Sequence, residues 1–173
     1  MKSYQLIKGR VIDFEGSRKT GIQQASFIDF NNFEVIQYGE FLSSDGKFLD
    51  WLIENNEDLD IDYWVAHNSN VERNLIRENA PYRPSTGIKK QELSWGPWVD
   101  TLTIYKKLYP DLDDYSLQCL GKKFLLIDEI DKVAQRLCLR TKKTYHQSMF
   151  DCVVTFLLTK RIKNLVNLSL FLC

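Results

Sequence analysis

The sequence predicts a single α/β domain, a mixed five-stranded sheet flanked by helices, spanning residues 1–173. Three features carry that expectation. The first third alternates apolar and polar residues with a period of two. The last third repeats its apolar residues at helical spacing. Between them the two patterns interleave as helix, strand, helix, strand.

The elements follow in order. "RVIDFE", "IQQASFIDF" and "FEVIQYGEF" are rich in Val, Ile, Phe and Tyr and read as strands. "GSRKTG" and "NN" punctuate them as short turns, so the three predict an antiparallel meander. A helix is expected around "DGKFLDWLIEN", with Phe48, Leu49, Leu52 and Ile53 on its apolar face. "IDYWVAH" predicts a fourth strand and "SNVERNLIREN" a helix after it. "APYRPSTGIKKQELSWGPW" lacks periodicity and reads as a long loop, and "WVDTL" as a fifth strand. Beyond it "LTIYKKLY", "SLQCLGKKF", "IDEIDKVAQRLC" and "HQSMFDCVVTFLLTKRI" read as helices; in the last, Met149, Cys152, Val153 and Phe156 form the expected buried stripe.

Composition narrows the class. A chain of 173 residues with 44% hydrophobic and 13% aromatic residues has the profile of a globular protein. It carries 23 basic and 23 acidic residues, so any nucleic-acid surface must be a local patch. Cys119, Cys138, Cys152 and Cys173 form no C-x-x-C pair, which argues against a cysteine zinc site and for reduced thiols. "MKSYQLIKGR" has no apolar signal-peptide core, and the tail "LVNLSLFLC" is too short to span a bilayer. A soluble cytoplasmic protein with no membrane partner is the expectation.

The stretch "VIDFEG" points to chemistry. Strand residues i and i+2 share a face, which sets Asp13 and Glu15 side by side, roughly 6.6 Å apart along the backbone. Two carboxylates so close, flanked by Val11, Ile12 and Phe14, repel each other unless a cation sits between them. An all-oxygen donor set suits Mg²⁺ or Mn²⁺. Two solvated acids at a strand edge are the alternative. Glu72 stands in the first turn of a predicted helix, and His146 stands five residues before Asp151. Helical residues five apart point about 140° apart. His146 and Asp151 can therefore share a site only if the histidine precedes the helix.

These segments resemble, in order, the motifs of the DEDDh 3′–5′ exonucleases, the superfamily of bacterial proofreading subunits. "VIDFEG" is similar to the family's Asp-x-Glu strand, "AHNSNVERNL" to its second strand-to-helix motif, and "HQSMFD" to its His-x₄-Asp motif. "VDTLTIYKKLYPDLDDYSLQCL" resembles the stretch between the second and third. The resemblance implies a ribonuclease H-like fold and a single 3′–5′ exonuclease domain. It also implies two divalent cations, Mg²⁺ or Mn²⁺, held by Asp13, Glu15, Glu72 and Asp151. His146 would be the general base on the attacking water, and imidazoles, which ordinarily titrate near pH 6.5, suit that task. The partner would be single-stranded nucleic acid or 3′ ends, DNA or RNA, and the product a nucleoside 5′-monophosphate.

Several assignments carry a second reading. The family has Asp where this chain has Glu72, and "SNVE" is also a capping box with Ser69 at the N-cap. Gly16, Ser17, Arg18 and Asn68 are candidate substrate contacts; Arg18 and Lys19 can equally be a solvated turn. Trp95 and Trp98 could stack bases, although core packing is the favoured reading of both. His67 and Asp100 read as structural. The alternative function is a non-catalytic nucleic-acid-binding subunit that kept the exonuclease fold.

Overall fold

The computed structural model describes residues 7–46, 48, 50, 61–79 and 96–173. The chain begins with the expected meander: β1 (Lys8–Ser17), β2 (Gly21–Asn31) and β3 (Glu34–Leu42). β4 (Tyr63–Ala66) leads into α1 (Asn70–Asn79), and β5 (Trp98–Asp100) into α2 (Thr101–Leu108). Then come α3 (Leu117–Phe124), α4 (Ile127–Leu137) and α5 (Ser148–Ile162). No helix among the described residues is long and apolar enough to cross a membrane.

The five strands form one sheet in the order β3-β2-β1-β4-β5. β1 is the middle strand. It runs antiparallel to β2, with Asp13 opposite Ser26, and parallel to β4, with Val11 opposite Val65. β4 and β5 are also parallel. The β1–β2 register slips between Glu15 and Gly16, just past the second carboxylate. Gly16 is required there, because a Cβ would stand 2.2 Å from the carbonyl oxygen of Gly21.

Alternation along β1 divides the core in two. Val11, with Ile28, Phe30, Tyr63, Val65 and Val99, faces α5. Ile12 and Phe14, with Ala25, Phe27, Trp64 and Trp98, face Leu75 and Ile76 of α1. Asp13 and Glu15 continue the Val11 face, so both carboxylates point to the α5 side. The expected stripe on α5 is too narrow. Every residue from Ser148 to Thr159 is buried, because α5 lies between the sheet and helices α3 and α4. A helix covered on all sides needs no polar face.

The proposed fifth strand is shorter than expected. Thr101 and Leu102 belong to α2, whose N-cap is Asp100: its carboxylate accepts from the Leu102 amide at 3.0 Å and from Thr103 Oγ1 at 3.1 Å. Of the helix expected around "DGKFLDWLIEN", only Phe48 and Asp50 among its later residues are described; Leu49, Leu52 and Ile53 lie outside, as does most of the expected long loop.

The second face holds a buried ion pair. Arg10 and Asp29 are cross-strand neighbours with no solvent exposure, joined by two hydrogen bonds of 2.7 and 2.9 Å. The guanidinium also lies over the rings of Phe27 and Trp64. Breaking a buried pair from one side costs far more than replacing both partners by apolar groups. Arg10→Met is therefore expected to destabilise the fold by about 3–5 kcal/mol, and Asp29→Leu in the same chain to recover most of that loss. Denaturant midpoints of the single and double variants check this; a double variant no more stable than Arg10→Met contradicts it.

Candidate active site

Four elements deliver the candidate side chains. β1 carries Asp13 and Glu15. Glu72 comes from the first turn of α1, the helix that leaves the C-terminal end of β4. Asp151 lies in the first turn of α5. His146 stands two residues before α5, in a left-handed backbone conformation with φ of 64°. The histidine therefore precedes the helix, as its sharing a site with Asp151 requires. In this conformation its backbone N–H donates to Asp151 Oδ2 at 3.1 Å. One ligand atom each from Glu15, His146 and Asp151 lies within 4.8 Å of the other two.

Three other carboxylate oxygens are left bare. Asp13 Oδ2, Glu72 Oε2 and Asp151 Oδ1 are buried and have no hydrogen-bond partner. Glu72 is 3% exposed and Asp151 7%. An ionised carboxylate in that condition is costly unless a cation compensates it. Burial is the main cause that pushes the Asp13 carboxyl well above its ordinary value, and the charges of Glu72, Asp151 and Glu15 add to it. Burial raises Glu72 to about 8, with Asp100 and Glu15 contributing. It raises Asp151 to about 7 against the opposing hydrogen bond from the His146 amide. Glu15 is also raised by burial, and the nearby His146 partly offsets the shift. The donor set, oxygen-rich and strained by its own charge, fits hard divalent cations.

The capping reading of Glu72 is not what the side chain does here. Ser69 precedes α1 and its carbonyl accepts from the Arg73 amide at 3.0 Å, but no hydrogen bond joins the Glu72 carboxylate to the Ser69 amide.

The first turn of α5 is pinned to β2. Ser148 Oγ and Ser26 Oγ are 2.7 Å apart, and the Ser148 amide donates to Gln24 Oε1 at 3.3 Å. The Tyr145 ring packs edge-on against Phe150, and its hydroxyl rests over Gly121 of α3, where a Cβ would come within 2.4 Å of it. Sequence reasoning missed these supports. Each joins residues far apart in the chain, and the only local signal is a serine at the helix start. Cys152 lies beneath the acids, its thiol pushed up by burial and by Asp13, Asp151 and Glu72.

The other candidates are placed as follows. Gly16, Ser17 and Arg18 are exposed at the β1–β2 turn. Arg18 pairs with Glu78 of α1 at 2.7 Å, and Ser17 Oγ lies 2.9 Å from Thr20 Oγ1. Asn68 is exposed at the end of β4 with φ of 66°, and its amide donates to Asp100 Oδ1. Trp98 offers no stacking platform: it is 1% exposed and packs on Trp64 with ring centroids 5.2 Å apart. Trp95 lies outside the described residues. His67 is held at both ring nitrogens, by Thr101 Oγ1 and the Tyr115 carbonyl, each at 2.9 Å.

This sheet order and helix arrangement are the ribonuclease H-like fold, and the structural neighbours that share it are exonucleases. One is exonuclease X in complex with 5′ overhanging duplex DNA: 19% identity, TM-score 0.57, covering 91% of this chain and 92% of that one. Another is E. coli exonuclease I in complex with a 5cy-dT13 oligonucleotide, at 16% identity and TM-score 0.60, covering 96% of this chain and 42% of that one. The zinc-ion-bound form of the E. coli exonuclease I–ssDNA complex aligns at 14% identity and TM-score 0.58, covering 92% and 41%. The chain thus spans nearly all of exonuclease X but about two-fifths of exonuclease I. No family model and no curated protein sequence matches it.

The raised carboxyls fix a pH dependence. A carboxyl whose folded-state value is raised holds its proton more tightly in the folded protein than in the unfolded chain. It costs nothing below its ordinary value, and stability falls as pH climbs from there through the raised value. For Glu72 that window runs from about 4.5 to about 8. The metal-free protein is expected to lose melting temperature across this range, and Mn²⁺ to flatten the loss by binding the native state only. Thermal melts in EDTA and in Mn²⁺ check it; a flat or rising EDTA profile contradicts it.

Proposed function

We propose that the chain is a metal-dependent 3′–5′ exonuclease, hydrolysing single-stranded nucleic acid or 3′ ends to release nucleoside 5′-monophosphates. The observation that carries this reading is the trio of bare, buried carboxylate oxygens on Asp13, Glu72 and Asp151, with the His146 ring at their exposed lip. The three neighbours, each described in complex with DNA or an oligonucleotide, support the same class of substrate.

Asp13, Glu15, Glu72 and Asp151 would hold two divalent cations, Mg²⁺ or Mn²⁺. When bound, such a pair supplies charge for the attacking and leaving oxygens of a phosphodiester displacement. The residues' own work is then specific. Asp13, in the middle strand and near all three other acids, would contribute charge to the whole set. Asp151 orients the histidine by accepting its backbone N–H. His146 takes the proton of the attacking water, while its exposure lets that proton pass on to solvent. The burial of Glu72 and Asp151 keeps water from competing for their bare oxygens. Arg18 and Asn68, exposed at the strand ends nearby, are placed to meet the substrate backbone; for Arg18 this means exchanging Glu78 for a phosphate.

Degradation of labelled single- and double-stranded DNA and RNA tests the reading, and also separates it from a non-catalytic binding subunit. Asp13→Asn is expected to abolish Mg²⁺-dependent cleavage in a folded protein. His146→Ala is expected to slow cleavage by about 10²–10⁴-fold, the usual contribution of a general base. Unchanged activity in either variant, or no cation-dependent cleavage by the wild type, overturns the assignment.

Glu72 gives a second test. Glu72→Gln removes a buried charge and keeps the side chain's size, so the metal-free protein should melt no lower than wild type at pH 8. Cleavage should fall sharply, because the amide supplies no charge for a cation. A variant that keeps full cleavage shows that Glu72 serves the fold alone.

A further inference from the structure

Residues 138–147 form a loop between α4 and α5 that ends on His146 and Gln147. The start of this loop is gripped by β3. The Glu40 carboxylate accepts three successive amides, from Leu139 at 2.8 Å on Oε1 and from Arg140 and Thr141 at 2.8 and 2.9 Å on Oε2. Arg140 grips back: its Nη1 donates to the Glu40 carbonyl at 3.2 Å, and its Nη2 donates to Asp45 Oδ1 at 3.1 Å. We propose that Glu40 is a positioning residue for His146, clamping the start of the loop so that the histidine stays turned toward the acids. The clamp stands on its own distances; its bearing on cleavage rests on the reading of His146 as the proton acceptor.

Three observations connect the clamp to the histidine. The first is register. Asp13 lies opposite Ser26, and Ser26 opposite Glu40. Directly opposed residues of neighbouring strands share a face, so one row across the sheet presents all three side chains to the α5 side. Ser26 holds the first turn of α5 through Ser148, and Glu40 holds the loop that leads into that turn. The second is the backbone of His146, whose φ of 64° is a conformation that a non-glycine residue keeps only where its surroundings over-determine it. Asp151 fixes one end of the loop by accepting the His146 amide, and Glu40 fixes the other. The third is exposure. Lys142, Lys143 and Thr144 lie between the two ends and are exposed, so the path of the chain there is set by its ends and not by packing.

The carboxylate suits this task. Its two oxygens accept three N–H groups in charge-assisted bonds, which are stronger than neutral ones. A glutamine in its place keeps one acceptor oxygen and turns its own N–H groups on the loop amides. Glu40 acts through the loop, so its loss should fall on the proton-transfer step: kcat drops while KM holds.

The test uses the whole chain in a double-mutant cycle. Glu40→Gln should lower kcat by about 10–100-fold, the cost of a misplaced group, with KM and the Mn²⁺ thermal shift kept. In a His146→Ala background the same substitution should cost nothing further, because residues that act as a unit are not additive. Leu139→Pro repeats the test from the loop side should Glu40→Gln fail to fold: it withdraws one of the three amides, and Cys138 already has the extended ψ of 86° that a following proline favours. An undiminished kcat in a folded variant overturns the proposal. So does an equal loss with and without the histidine, which would make Glu40 a support of the fold at large. If the wild type shows no Mg²⁺-dependent cleavage, the exonuclease reading falls, and amide hydrogen exchange in EDTA still decides the clamp. Glu40→Gln should speed exchange at His146 as well as at Leu139, Arg140 and Thr141; a His146 amide as protected as in the wild type overturns it.

Discussion

Mutual repulsion among buried carboxylates is the constraint around which this molecule is arranged. Asp13 feels Glu72, Asp151 and Glu15 at once, in surroundings where burial already disfavours charge. The basic side chain beside them is His146. The Arg10–Asp29 pair on the opposite face of β1 shows the other solution to the same problem, in which a buried acid is matched by a guanidinium. The same strand thus carries a neutralised charge on one face and an unneutralised cluster on the other. The first kind is neutralised within the fold, and the second is left to protonation or to a ligand of opposite charge.

The scaffold meets this demand with stiffness. α5 is buried along nearly its whole length, so its first turn cannot drift without disturbing contacts to the sheet, α3 and α4. Ser148 and Gln24 fix that turn against β2, and Tyr145 seats the preceding loop on Gly121. Asp151 inherits its position from these contacts, and His146 inherits its own from Asp151. The acids on β1 are held by the β2 ladder, Asp13 opposite Ser26 and Glu15 opposite Gln24, just beyond the Gly9–Val11 stretch that also pairs with β4.

Much of this was legible in the sequence, for identifiable reasons. The meander and the later helices follow local periodicity, and local periodicity is what a sheet face or a helix groove reads. The convergence of Asp13, Glu15, Glu72, His146 and Asp151, as distinct from their roles, followed from motif order along the chain. What was not legible depends on partners distant in sequence. Nothing local says that α5 is covered on all sides or that "WVDTL" turns helical after Asp100. Trp98, for which core packing is the favoured reading over base stacking, is indeed core, packed on Trp64. Glu72 showed two chemistries in one four-residue pattern, a cap and a cation ligand, and nothing local to that pattern chooses between them.

The place of β1 has a consequence in time as well as in space. Its pairing with β2 closes a short hairpin, but its pairing with β4 joins Val11 to Val65, and β5 adds through Val99. Contacts of such sequence separation form late, after the entropy of closing the intervening chain has been met. Glu72 and Asp151 reach Asp13 only once that closure is complete. A cation held by these acids would therefore meet no assembled site on the way up the folding barrier. Its grip would be felt on the way down, slowing escape from the native state without hastening arrival there.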